Sequence, residues 1–141
     1  MPAYVADTNL YVMAANDDAF RLRFEEFVRN HGPLLVSAVA VAEVLIGVSD
    51  SSRHAAVTRA LGAGSEIVAP IADDWIVAGV SLARLGGEGI TKGRSFWNDA
   101  LLAAQCARLD ATLVTHNAKD FRRLRRHIDV RVIPPFPSMS R

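Results

Sequence analysis

A single cysteine, Cys106, leaves no partner for an intramolecular disulfide and removes any cysteine-based zinc site from consideration. A reducing, cytoplasmic setting is the expectation. Long apolar runs are missing too: the longest, from Leu34 to Val48, is broken by Glu43 and is shorter than the ~18 residues of a membrane helix. The N-terminus carries no basic stretch ahead of an apolar one, so neither export nor membrane insertion is expected. Histidine is scarce, and His31, His54 and His127 form no i,i+4 ligand pair. Net charge is almost absent, at +1.

That near-zero sum conceals a polarised chain. From Lys119 to Arg131 stand six basic residues (Lys119, Arg122, Arg123, Arg125, Arg126 and Arg131) against two acidic ones, Asp120 and Asp129. Before Asp50 the lean is acidic, with Asp7, Asp17, Asp18, Glu25, Glu26 and Glu43 facing Arg21, Arg23 and Arg29. Such polarity suits a polyanion gripped by one part and handled by an acidic site in another; the plain alternative for the arginines is a solvated helix face. With half its 141 residues apolar, the chain can bury one good core and is too short to divide comfortably, so residues 1–141 read as one domain.

Strand and helix signals alternate along it. Ala3 to Ala6 is a short apolar strand running into Asp7-Thr8-Asn9, where Asp7 or Thr8 can cap a helix. Phe20, Phe24, Phe27 and Val28 recur at helical spacing between Asp18 and Asn30, and His31-Gly32-Pro33 stops that helix before a strand at Leu34 to Val36. Ser37 can cap a third helix. A helix is expected over Ser51 to Gly62, a weak strand over Glu66 to Val68 and an amphipathic helix over Asp73 to Leu85. Gly86 to Arg94 reads as a loop, after which Ser95 or Asn98 caps a helix running to about Leu109. Thr112 to Val114, Asp120 to Arg126 and Val130 to Ile133 complete the series as strand, helix and strand. The alternation predicts an α/β fold, a three-layer α/β/α sandwich with a central, mainly parallel sheet, whose chemistry gathers beyond the carboxyl ends of the strands.

Three acids sit where an acid is costly: Asp7 ends an apolar strand, Glu43 interrupts Val39 to Ile46, and Asp99 opens Asp99-Ala100-Leu101-Leu102-Ala103-Ala104. Each has an ordinary explanation: a helix cap for Asp7, a salt bridge to an arginine for Glu43, and a first-turn dipole contact for Asp99. If the three converge, they need a countercharge, and hard oxygen donors point to Mg2+ or Mn2+. Water activated by such a metal attacks phosphorus without a side-chain nucleophile, the chemistry of phosphodiester hydrolysis. Converged carboxylates also predict that Asp7→Asn or Asp99→Asn stabilises the metal-free protein by relieving repulsion.

Four stretches carry a resemblance. Val5-Ala6-Asp7-Thr8-Asn9, Ser37-Ala38-Val39-Ala40-Val41-Ala42-Glu43-Val44, Asn98-Asp99-Ala100-Leu101-Leu102-Ala103-Ala104 and Leu113-Val114-Thr115-His116-Asn117-Ala118-Lys119-Asp120-Phe121 together resemble the PIN-domain ribonucleases, most closely the VapC-type toxins of bacterial toxin–antitoxin pairs. The resemblance implies a metal-dependent endoribonuclease, usually a homodimer, held silent by a cognate antitoxin. It places Asp7, Glu43 and Asp99 among the acidic metal-binding residues and Asn9, with Thr8 beside it, in a supporting role. At the fourth acidic position it offers Asn117 or Asp120, of which only Asp120 carries charge.

Further residues have two readings each. Lys92 and Arg94 are phosphate contacts or ordinary loop charges, His116 an acid–base group or a structural histidine, and Arg122 to Arg126 an RNA-backbone track. Trp75, Trp97 and the Phe20-Phe24-Phe27 stripe read as core or dimer interface before base-stacking platforms. Two rival functions stand beside the nuclease: a catalytically weakened PIN-like module that binds RNA or protein, favoured by Asn117, and a phosphoaspartyl receiver, disfavoured because Asp7 lacks an adjacent acid.

Overall fold

The computed structural model describes residues 3–32, 34–63, 65–86 and 93–135, the first three of the last segment by backbone alone. β1 (Ala3–Ala6) leads into α1 (Thr8–Asn16), and the Asp7 side chain caps α1 by accepting from Thr8 N at 2.8 Å. α2 (Asp18–His31) is capped by Asp17, which accepts from Phe20 N. It ends at Gly32, whose φ of +83° lies in the region that favours glycine. β2 (Val36–Ser37) begins later than the expected strand, and Ser37 then caps α3 (Ala38–Ile46) through Val39 N.

A 3-10 turn over Ser51–Arg53 precedes α4 (His54–Gly62) and β3 (Ile67–Val68), so the single helix expected from Ser51 is divided. α5 (Ala72–Arg84), α6 (Gly93–Arg108), β4 (Ala111–Val114), α7 (Ala118–Leu124) and β5 (Arg131–Ile133) follow. Among the described residues no helix is long and apolar enough to cross a membrane.

All the strand pairs are parallel. β4 lies between β1 and β5, with Ala3 opposite Ala111 and Thr112 opposite Arg131, while β2 pairs β3. A parallel bridge between Val5 and Leu35 joins the two ladders, giving the order β3-β2-β1-β4-β5. The strand alternation sorts side chains into two cores. Ala3, Val5, Ala111, Leu113 and Val132 pack with α5, α6 and α7, while Tyr4, Ala6, Val114 and Ile133 pack with α1 and α2. Helices therefore cover both faces, and the three-layer expectation holds.

α6 is the central helix, with every residue from Ala100 to Cys106 buried. Ala100, Ala103 and Ala104 let it press closely on its neighbours, and truncating Leu102, 1% exposed, to alanine costs about 2–5 kcal/mol. Because α6 starts at Gly93, Asp99 lies in its second turn and is no first-turn dipole contact, which corrects the ordinary explanation for that acid. Phe20 and Phe27, 2% and 5% exposed, are core residues, which removes them as interface; Trp75 and Trp97, 61% and 53% exposed, are not core.

Candidate active site

The strand order reverses between β1 and β4: from β1 the chain proceeds to β2 and β3 on one side, and β4 and β5 lie on the other. The crevice beyond such a reversal is where parallel α/β sheets bind ligands. Two residues face each other across it. Asp7 extends the ladder by donating its N–H to Val114 O at 2.9 Å, and Thr115, the residue after β4, donates its N–H to Ile133 O at 3.1 Å. Thr115 Oγ1 then donates to Asp7 Oδ2 at 2.7 Å, with Thr115 only 1% exposed.

Glu43 reaches the same place from α3. Its Oε1 accepts from Thr8 Oγ1 at 2.7 Å, so one residue ties two acids, Thr8 giving its backbone N–H to Asp7 and its hydroxyl to Glu43. The arginine partner that would have explained Glu43 structurally is not among the described residues. Beyond Glu43 a groove of about 340 Å³ opens between α3 and α6, bordered by Val39, Ile46, Trp75 and Leu101.

The other half of the cleft is organised by Asn117, which precedes α7. Its backbone N–H donates to Thr115 Oγ1 at 2.9 Å, and its amide Nδ2 lies 3.4 Å from Asp99 Oδ2 and 3.2 Å from Asp120 Oδ2. Arg123, one turn on from Asp120, sets Nη1 3.8 Å from Asp120 Oδ1 and its guanidinium 5.2 Å over the Phe96 ring. A continuous run of hydrogen bonds thus links Glu43, Thr8, Asp7, Thr115, Asn117, Asp99 and Asp120. The acids of the sequence reading gather in one region but stand a donor apart. Among the described residues no three His, Cys, Asp or Glu side chains close tightly enough to enclose a metal ion.

Asn9 is exposed on the first turn of α1 and lies outside this hydrogen-bonded run. His116 is exposed and packs its ring 6.0 Å from Phe20, a structural contact. Lys92, the Arg94 side chain and the Ser95 cap lie outside the described residues, as does most of the glycine-rich loop. Cys106 is buried behind the cleft, and burial, with the charges of Asp7 and Asp74 adding to it, pushes its thiol up to about 12, so it is no nucleophile. Thr115 and Arg123 are the members that sequence reasoning did not single out. A hydroxyl directly after the apolar pair Leu113-Val114 was the available signal for Thr115; nothing separated Arg123 from its arginine neighbours.

A family model described as PIN domain matches residues 4–127. Ribonuclease VapC2 of Rickettsia felis is 30% identical over 126 residues, 86% of this chain and 91% of that protein. DNA-bound VapBC from Salmonella typhimurium aligns with a TM-score of 0.73 at 22% identity, covering 95% of this chain and 98% of that one. VapBC2 from Rickettsia felis, bound to a DNA fragment from its promoter, gives 0.70 at 23% identity, covering 94% and 98%. At these identities the two solved structures speak to the fold alone.

Proposed function

The chain belongs to the PIN-domain family, and from that premise we propose that it is a divalent-metal-dependent endoribonuclease acting in the cytoplasm as the toxin of a toxin–antitoxin pair. One observation carries the reading. Asp7 is buried at the strand reversal with its carboxylate satisfied by a backbone amide and a hydroxyl, neutral donors that leave its negative charge in place for a cation.

The donor set fits a hard divalent ion. Carboxylate and hydroxyl oxygens surround the cleft, with no thiolate, and magnesium is commonly held by one or two carboxylates with several waters completing its shell. Asp7 and Asp99 are the first candidates to hold it, with Glu43 and Asp120 beside them and Mn2+ as a substitute. When bound, the ion supplies Lewis acidity and a countercharge for the phosphodiester. The chain's own part is positional: Thr8 and Thr115 fix Asp7 and Glu43, and Asn117 fixes Asp99 and Asp120. The exposed Arg122, Arg125 and Arg126 on and after α7 supply backbone contacts to RNA.

The partner implied by the VapBC relatives is a cognate antitoxin. An exposed apolar face on α5 and α6, with Trp75, Ile76, Val80 and Trp97, suits the homodimer of this reading. A second reading, a module that binds RNA without cutting it, is favoured by Asn117 and by the donor-spaced acids. Total RNA incubated with antitoxin-free protein in Mg2+, Mn2+ or EDTA, beside Asp7→Ala, separates the two. Metal-dependent cuts at few sites, lost in EDTA and in the variant, are expected; RNA retention without cuts transfers the case to the binding module.

A further inference from the structure

We infer that Asn117 and Arg123 occupy the Asp120 half of the cleft in the manner of a second cation, so that the site takes one divalent ion, on its Asp7 side. The inference rests on the nuclease reading and deepens it. An amide nitrogen has two N–H donors. Those of Asn117 meet Asp99 Oδ2 at 3.4 Å and Asp120 Oδ2 at 3.2 Å, placing a donor between the two carboxylates where a cation bridging them has to sit. Its backbone is pinned, the N–H bonded to the buried Thr115 hydroxyl and the carbonyl accepting from Phe121 N in the first turn of α7, so the amide starts from a fixed Cα beside both carboxylates.

Arg123 adds a charge to that block. Its guanidinium approaches Asp120 to 3.8 Å and lies over Phe96, and the two side chains of the pair are only 17% and 20% exposed. A positive charge screened this little by water repels a second dication at Asp120. Among the described residues nothing comparable guards Asp7, whose partners there, the Thr8 amide and the Thr115 hydroxyl, are neutral.

The test counts ions and does not depend on cleavage. Free Mn2+ is measured by electron paramagnetic resonance while Mn2+ is titrated into the purified full chain. One ion per chain is expected for the wild type and two, the second at least tenfold weaker, for Asn117→Asp. Asn117→Ala, which only removes the amide, is also expected to gain a weak second ion, and it keeps the test open if the aspartate variant fails to fold. In the Asn117→Asp background, Arg123→Gln is expected to tighten the second site about tenfold. Two ions on the wild type overturn the inference and leave the nuclease reading standing, as does a single ion on both Asn117 variants. No bound Mn2+ on any of these proteins overturns the metal site and the inference with it.

Discussion

Asp74 and Asp7 are secluded to nearly the same degree, 2% and 5% exposed, and they are secured in opposite ways. Asp74, in the first turn of α5, accepts from Ile71 N at 2.9 Å and from Arg108 Nε at 2.9 and 3.1 Å. A guanidinium cancels its charge, the pair ties α5 to α6, and the bond to Asp74 raises the pKa of Arg108 above its ordinary value. Among the described residues Asp7 receives only the Thr8 amide and the Thr115 hydroxyl, which satisfy its oxygens without cancelling its charge. Seclusion alone therefore does not mark a functional acid. The charge of the partner separates these two, because an acid already neutralised within the fold has nothing left to offer a cation.

The largest test of this contrast sets Asp7→Ala against Asp74→Ala in the metal-dependent cleavage assay and in thermal unfolding. Asp7→Ala is expected to lose ~4 kcal/mol of transition-state stabilisation, about a thousandfold in rate. Asp74→Ala is expected to cleave normally while losing roughly 2 kcal/mol of stability, because the first turn of α5 and the tie to α6 go together. Asp7→Asn is expected to lower the melting temperature. Repulsion among acids predicts the reverse sign, but an amide cannot present an acceptor to both of the donors that Asp7 now satisfies. An unchanged cleavage rate in Asp7→Ala breaks the comparison outright.

Thr115 is the next point of attack. Thr115→Val keeps the shape and removes the hydroxyl that serves both Asp7 and the Asn117 backbone, at a cost of about 1–3 kcal/mol for buried groups left without a partner. Denaturant midpoints should show that loss, and Thr115→Ser should recover most of it. A valine variant as stable as the wild type means that the hydroxyl bridge does not organise the cleft.

Cys106 lies within the fields of both aspartates and so compares them directly. Its thiol is raised from 9.0 to about 12, by burial first and then by Asp7 and Asp74. The folded chain keeps its proton where the unfolded chain has lost it, so the contribution is fully present below pH 9 and declines as pH climbs toward 12. Tyr11, raised from 10.0 by burial and with its hydroxyl unbonded among the described residues, works in the same direction. Urea midpoints should fall over that alkaline window, and Cys106→Ala should flatten the fall. An equal slope in that variant places the alkaline sensitivity elsewhere.

The smallest expected effect concerns the exposed arginines, whose charges are open to phosphate as that of Arg108 is not. With Asp7→Ala in EDTA, the slope of log affinity for single-stranded RNA against log salt should shrink by about 0.7 for each of Arg122, Arg125 and Arg126 changed to glutamine. Arg108→Gln should leave the slope alone. Equal effects from all four remove the distinction between arginines engaged in the fold and arginines available to RNA.

Most of the element order was legible because its signals are local. Asp7 and Ser37 cap the helices their side chains suit, Gly32 stops α2, and the strand alternation of β1 and β4 carries straight into the two cores. Boundaries slipped where a distant partner set them. β2 is confined to Val36–Ser37 because β3 offers only two residues to pair, and Leu35 bonds to the β1 backbone instead. α6 begins ahead of either expected cap, carried upstream by the packing of Phe96, which is 1% exposed. Asp74 gave no signal at all, since an acid in the first turn of an amphipathic helix is ordinary whether or not an arginine later covers it.

The sequence by itself determined the alternation of strands and helices, the caps, and the identity of the acids that had to be accounted for. Those depend on side chains a few residues apart, where spacing fixes geometry. Tertiary structure alone decided which acid keeps its charge: Thr115 reaches Asp7 across 108 positions, Arg108 reaches Asp74 across 34, and the Asn117 amide bonds Asp99 across 18. A partner's charge acts over ångströms of space, and only the packed sheet and helices turn those separations into contacts.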